Sequence, residues 1–139
     1  MRRTVPVTFL VFALVSQSFA VQPCLKYEPE VVQLQGKVKR VVFPGPPNYE
    51  SVKDGDQPEA HYVLFLPKGV CVQGDPKDEI NSESEKEITS MQLMITSYNK
   101  YRPLLGKNVN VKGKLMHSHT GHHHTNVLLQ VESMTATPD

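Results

Sequence analysis

Polar and apolar residues alternate along several stretches of the chain, which is the spacing of half-buried β-strands. The longest stretch covers residues 31–43, and its apolar positions move from one face to the other near Gly36. Such a change fits a strand that bends, and glycine allows the bend. A second strand is expected over residues 61–66, ending at Pro67, and a third over residues 88–96.

Two further strands are predicted on either side of a histidine-rich segment. Apolar residues alternate with polar ones over residues 109–115 and again over residues 127–131. We predict a hairpin with the three-residue loop 119–121, whose last residue is a glycine in the left-handed conformation. In this register His117 pairs with His123 on the apolar face, at the open end of the hairpin.

A short connection between the third and fourth strands completes the predicted fold. It covers residues 97–105 and contains Pro103, which excludes a long helix. Five strands, a glycine in the first and a short helical connection match the oligonucleotide/oligosaccharide-binding (OB) fold, a five-stranded Greek-key barrel. We therefore predict an all-β fold with one short helix, forming a single OB-like barrel domain over residues 21–139. A small β-sandwich is the alternative.

The first residues have the pattern of an export signal. Arg2 and Arg3 precede an apolar run at residues 5–15, and small residues stand at the positions that a signal peptidase reads. The apolar run is too short to span a bilayer as a stable anchor. We predict a signal peptide at residues 1–20, no membrane span after its removal, and a periplasmic or secreted location.

The charges of the chain nearly balance, with 15 basic residues against 14 acidic ones. Removal of the signal would take away two arginines and leave no basic excess. Proteins that bind nucleic acid usually need such an excess to neutralise phosphates. We therefore predict no nucleic-acid partner.

Cys24 and Cys71 are the only cysteines of the chain. In the oxidising compartment that an export signal implies, an even pair of cysteines indicates a disulfide. The alternative is a pair of buried thiols. We predict the Cys24–Cys71 disulfide.

Five of the six histidines lie in the segment between the last two strands. Neutral imidazole is a good ligand for Zn²⁺, Cu²⁺ and Ni²⁺, so three histidines in reach of one ion would form a metal site. The candidates are His117, His119 and His123, with His61 as a fourth. The pattern indicates no definite cofactor beyond these candidate ions. The alternative is a polar loop whose histidines bond to one another and to water.

A proline-rich segment follows the first strand and offers a second candidate surface. Phe43 and Tyr49 lie beside prolines that stiffen the chain, so they could bind a partner protein at little cost in ordering. The alternative is a rigid cover over the end of the barrel, with Tyr49 packed against the domain. An Asp-Gly-Asp sequence at residues 54–56 lacks the further oxygen ligands of a calcium loop.

No pattern of catalytic residues is present in the sequence. The chain has no nucleophile elbow, no phosphate-binding loop and no H-E-x-x-H zinc motif. Ser118 stands between two histidines, but neighbours along a strand point to opposite faces, so neither is placed to act as its base. We predict a non-enzymatic domain. A zinc hydrolase remains an alternative and would need an open coordination position and a general base.

Two motifs carry a family resemblance: FPGPPNYES at residues 43–51 and LLGKNVNVKGKLMHSHTGHHHT at residues 104–125. Together they resemble a family of small exported bacterial domains of unknown function, in which a proline-rich loop and a histidine-rich hairpin recur. The resemblance implies a bacterial envelope setting and favours the OB fold. We predict an exported binding domain for a transition metal or small ligand at the histidines. The alternative is a protein-binding module, such as an inhibitor or immunity-type partner of an envelope protein, that uses the proline-rich loop.

Overall fold

The computed structural model describes residues 21–138 of the chain, so the predicted signal peptide at residues 1–20 lies outside the described residues. The described part contains strands β1 (Leu25–Lys26), β2 (Val31–Pro44), β3 (Pro58–Gln73), β4 (Glu85–Met94), β5 (Asn108–His117) and β6 (Val127–Ala136). A short helix, α1 (Tyr98–Tyr101), and a 3-10 turn (Arg102–Leu104) connect β4 to β5. This confirms the predicted all-β fold with one short helix. No helix within residues 21–138 is long and apolar enough to cross a membrane.

The strands form one mixed sheet whose hydrogen bonds join into a ring. Strand β3 pairs antiparallel with both β2 and β4, and β5 pairs antiparallel with both β2 and β6. A short parallel pairing of β4 with β6 closes the ring. The two-residue strand β1 adds to β3 in parallel and was not predicted, because two residues are too short to show a period.

Strand β2 changes partners in its middle, next to the glycine at which a bend was predicted. Its first half, Val31–Lys37, pairs with β5, and its second half, Lys37–Pro44, pairs with β3. Gly36 lies against the backbone carbonyl of Phe65, where a Cβ atom would collide. Glycine therefore allows the close approach of β3 at this point.

The hydrophobic core is built from the alternating residues of the long strands. Burial of one such aliphatic side chain contributes about 1.5–3 kcal/mol relative to leaving it exposed. The side chains with no exposed surface include Val38 of β2, Leu64 of β3, Met91 and Leu93 of β4, Val109 and Leu115 of β5, and Leu129 of β6.

The predicted end of the second strand at Pro67 is wrong. Strand β3 continues through Pro67 to Gln73, and its pairing with β4 is irregular between Phe65 and Val70. Proline has no N–H group to donate to a neighbour, so an irregularity in the ladder can accommodate it.

The predicted register of the histidine hairpin is also wrong. His117 pairs with Val127 rather than with His123, and Leu115 pairs with Leu129. The connecting loop covers residues 118–126, and Gly121 is not among the glycines with positive φ. Side chains from outside the hairpin bond to the loop backbone, and this removes the need for a tight turn.

The predicted disulfide between Cys24 and Cys71 is confirmed. It lies beside the pairing of Leu25 with Val72, so the covalent bond and the short strand β1 together hold the start of the domain on β3.

Candidate metal centre

Two loops meet at the candidate site. The proline loop, residues 45–57, connects β2 to β3, and the histidine loop, residues 118–126, connects β5 to β6. Glu59 and His61 lie two residues apart on β3, so both side chains point to the same face. Phe43 of β2 is paired with Glu59.

Three side chains bring potential metal ligands together: Glu59, His61 and His124. One ligand atom from each lies within 4.8 Å of the other two, and no further group of this kind occurs within residues 21–138. His124 Nε2 is 2.8 Å from Glu59 Oε2, and His61 Nε2 is 3.9 Å from the same oxygen. The three side chains are largely but not fully buried, with 17%, 21% and 9% of their surface exposed.

His122 bonds to the other oxygen of the same carboxylate. Its Nδ1 lies 2.6 Å from Glu59 Oε1, and 60% of the His122 side chain is exposed. Both oxygens of Glu59 are therefore engaged, one by the buried His124 and one by the exposed His122. Each carboxylate oxygen accepts one hydrogen bond from an imidazole N–H group.

Neighbouring side chains orient the two candidate imidazole ligands. The Phe43 ring stacks on the His124 ring with centroids 4.5 Å apart and planes within 1° of parallel. His61 Nδ1 is hydrogen-bonded to the Tyr98 hydroxyl at 3.3 Å, and Tyr98 packs edge-on against Tyr62. A partner on the second ring nitrogen fixes the ring that offers the first nitrogen to a metal.

Gln92 of β4 holds the backbone of the histidine loop. Its side chain is almost fully buried, and its Oε1 accepts the backbone N–H of His124 at 2.8 Å. Its Nε2 donates to the carbonyl of His122 at 3.1 Å. The backbone N–H of Gln92 also donates to Thr125 Oγ1 at 2.8 Å. These bonds anchor the backbone of His122 and His124 to a buried residue of β4.

The proline loop is shaped by a single buried carboxylate. Asp56 accepts the backbone N–H groups of Asn48, Glu50 and Ser51 at 2.8–2.9 Å. These backbone bonds lower the pKa of Asp56 below its ordinary value. Tyr49, inside this turn, has a positive φ of 58°, packs edge-on against His122 and stays 38% exposed.

Gly45 lets the proline loop approach Glu59. A Cβ atom on Gly45 would lie 2.7–2.8 Å from the Glu59 side chain, including its Oε1. Such a contact is too short for any real side chain. The glycine therefore leaves room for the carboxylate that His122 and His124 share.

The environment of Glu59 and His61 favours the protonation states of these two side chains that bind metal. Hydrogen bonds from His124, and then from His122, lower the pKa of Glu59, which keeps it a carboxylate. Burial, followed by the charge of His124, lowers the pKa of His61, which keeps its imidazole neutral. Metal ligands of both kinds must be deprotonated to bind.

Two imidazole nitrogens and one carboxylate oxygen form a known type of ligand set. Zinc is held by two histidines and one glutamate in several metalloproteins, and Cu²⁺ and Ni²⁺ also favour imidazole. A metal ion here would take the place of the proton that His124 Nε2 shares with Glu59. The residues present therefore fit a divalent transition metal.

The four histidines predicted as ligands do not lie together. His61 belongs to the cluster, but His117 bonds through Nε2 to Glu85 Oε1 at 2.9 Å, beside the ring of Tyr27. His119 and His123 contact each other, with ring centroids 4.7 Å apart. The predicted meeting of His117 with His123 depended on the hairpin register, and that register is wrong.

Sequence reasoning missed Glu59, His122 and His124. The predicted register put His123 on the apolar face, so its chain neighbours His122 and His124 would point to the opposite face, and no acidic residue was predicted as a ligand. A signal was present, since Glu59 and His61 are spaced two apart on a strand and so share a face. The predicted partner-binding residues Phe43 and Tyr49 pack against His124 and His122 respectively.

Comparison with known proteins gives one family match. Residues 90–135 match the family model described as "Domain of unknown function (DUF4431)". The matched segment runs from β4 through the histidine loop into β6, so it includes Gln92 and His124 but neither Glu59 nor His61. No curated protein matches the chain. The family match is in line with a resemblance to domains of unknown function.

Proposed function

We propose that this chain is an exported, non-enzymatic binding domain that holds Zn²⁺, Cu²⁺ or Ni²⁺ through Glu59 Oε2, His61 Nε2 and His124 Nε2. The observation that carries the proposal is the convergence of one ligand atom from each of these three side chains within 4.8 Å of one another. Both imidazoles are also held in place, unlike typical surface histidines. His124 is stacked on Phe43 and its backbone N–H is bonded to the buried Gln92, and the second ring nitrogen of His61 is bonded to Tyr98.

The order of the strands supports an OB-like barrel as the scaffold of this site. Counted from β2, the five long strands join in the ring order first, second, third, fifth, fourth. In OB barrels the loops after the first and fourth strands contribute to the binding surface. In this chain those two loops are the proline loop and the histidine loop, and the candidate ligands lie where they meet.

Export to a periplasmic or extracellular space is part of the proposal. Disulfides persist in oxidising compartments, and Cys24 is bonded to Cys71. The signal-like pattern at residues 1–20 and the resemblance to exported bacterial domains support the same location.

Metal titration of the mature protein, purified without an affinity tag, tests the function. We expect one Zn²⁺ or Cu²⁺ per chain by calorimetry. The substitutions Glu59→Gln, His61→Ala and His124→Ala should each weaken binding by more than the roughly 10–100-fold typical of outer-shell changes. His119→Ala is the matched control, because His119 lies in the same loop as His124 and its ring is engaged by His117 and His123 instead. Equal loss in all four variants, or no stoichiometric binding, would contradict the proposal.

A further inference from the structure

We propose that a metal ion in this centre keeps one coordination position for a small exogenous anion, because His122 restrains Glu59 to bind through a single oxygen. This inference rests on the proposed metal-binding function and deepens it by naming the class of ligand. His122 is then a positioning residue, since it acts on the metal only through Glu59.

The two oxygens of Glu59 have separate partners. Oε2 faces His124 at 2.8 Å and His61 at 3.9 Å, whereas Oε1 is bonded to His122 Nδ1 at 2.6 Å. A metal bound by both oxygens would have to break the bond from His122. The geometry therefore favours coordination through Oε2, with the Nδ1–H of His122 retained on Oε1.

In the described part of the chain, three side chains offer ligands to this site. Within residues 21–138, no other histidine, cysteine or acidic side chain completes the group formed by Glu59, His61 and His124. The Phe43 ring covers one face of His124 and offers no ligand atom. Zinc prefers four ligands, and a site with three protein ligands takes the fourth from solvent or from a bound molecule.

The remaining position is open to solvent and favours a negative charge. The side chains of Glu59 and His61, which would both bind the metal, keep 17% and 21% of their surface exposed. A divalent ion with one carboxylate ligand keeps a net positive charge, which attracts an anion more strongly than a neutral base of the same size. The structure thus fits a small anion as the fourth ligand of the metal.

Azide binding to the Cu²⁺-loaded mature protein tests the inference. We expect a saturable azide-to-copper charge-transfer band with one azide per copper. His122→Ala should free Oε1 to bind the metal and so weaken azide binding by about tenfold, within the usual range of outer-shell effects. His122→Asn should restore wild-type azide binding, because its side-chain amide can donate to Oε1 as the Nδ1–H does. His119→Ala is the control and should leave azide binding unchanged.

The results separate the inference from the function on which it rests. Copper binding that depends on Glu59 and His61 but admits no azide would overturn the open position and leave the metal site standing. Azide binding that is equal in wild type and His122→Ala would overturn the role of His122. Copper binding that is unaffected by Glu59→Gln and His61→Ala would remove both the proposed function and the inference.

Discussion

At the scale of single residues, the proline loop depends on Asp56. Its carboxylate accepts three backbone N–H groups of the turn that contains Tyr49. The bonds hold Tyr49 at a positive φ, which is unfavourable for a tyrosine by itself. Through Tyr49, the carboxylate also sets the surface on which His122 packs.

The pKa shift of Asp56 predicts a pH dependence of stability. The backbone bonds lower its folded-state pKa below 3.8, the ordinary value of an aspartate side chain. Its contribution is therefore complete above pH 3.8 and is lost as the pH falls through the lower, folded-state pKa. We expect Asp56→Asn to lower the urea midpoint clearly at pH 7, with a smaller difference from wild type in strong acid. Asp54→Asn, an exposed change in the same loop, is the control. A difference that is constant with pH would contradict the prediction.

The residue types in the sequence indicated that the site could bind a metal, but they did not indicate which residues form it. Histidine abundance pointed to a metal, and His61 was among the candidates that the structure places in the cluster. Glu59 and His124 are 65 residues apart in the chain, and their contact depends on how two loops fold against the ring. Local alternation carries no information on such a distant contact.

At the scale of elements, the histidine loop and the end of β5 are held by side chains from outside their own hairpin. Gln92 of β4 bonds to the backbone of His122 and His124, and Asn81 accepts the backbone N–H of His117 at 2.9 Å. A hairpin considered by itself would close with a tight turn to satisfy its backbone groups. Side chains from neighbouring segments satisfy them here, which is why the loop is longer than predicted.

Replacement of Gln92 by leucine should disturb both the loop and the site. The change leaves the His124 N–H and the His122 carbonyl without their partners, at roughly 1–3 kcal/mol for each buried unsatisfied group. We expect a lower free energy of unfolding in urea, faster hydrogen exchange at the His124 amide and weaker Zn²⁺ binding. Gln33→Leu on the exposed face of β2 is the matched control and should change little. Equal effects of the two substitutions would refute the role of Gln92.

The elements themselves were largely predictable, and their pairing was not. Alternation located β2 and β5, because each of these strands has one face in the core, and apolar runs helped to locate the other long strands. The passage of β3 through Pro67 could not be read from the sequence, since the proline is tolerated only because the pairing with β4 is irregular there. The same limit applies to the hairpin, whose register at the tip is set by the long loop 118–126 and shifts again at a bulge between Lys112 and Gly113.

At the scale of the whole molecule, the ring is closed by contacts between distant segments. The shortest pairing in the ring is the parallel one of β4 with β6, which involves Gln92, Leu93 and Met94 on one side. The same three residues of β4 include the glutamine that holds the histidine loop. Closure of the ring and shape of the site are therefore coupled at one short stretch of β4.

The Cys24–Cys71 disulfide should stabilise the whole domain without shaping the site. It links positions 47 apart in sequence. Because it restricts the unfolded chain, such a link stabilises the folded domain by about 4 kcal/mol in the chain-entropy model. This is a large part of the roughly 5–15 kcal/mol that stabilises a typical domain. We expect the Cys24→Ser, Cys71→Ser double variant to unfold at a much lower urea concentration than wild type. Its Zn²⁺ affinity under native conditions should not change, because Cys71 is far along β3 from Glu59 and His61. Wild type with reductant is the control for the serine side chains. A folded double variant with weakened Zn²⁺ binding would show instead that the amino-terminal link positions the metal ligands.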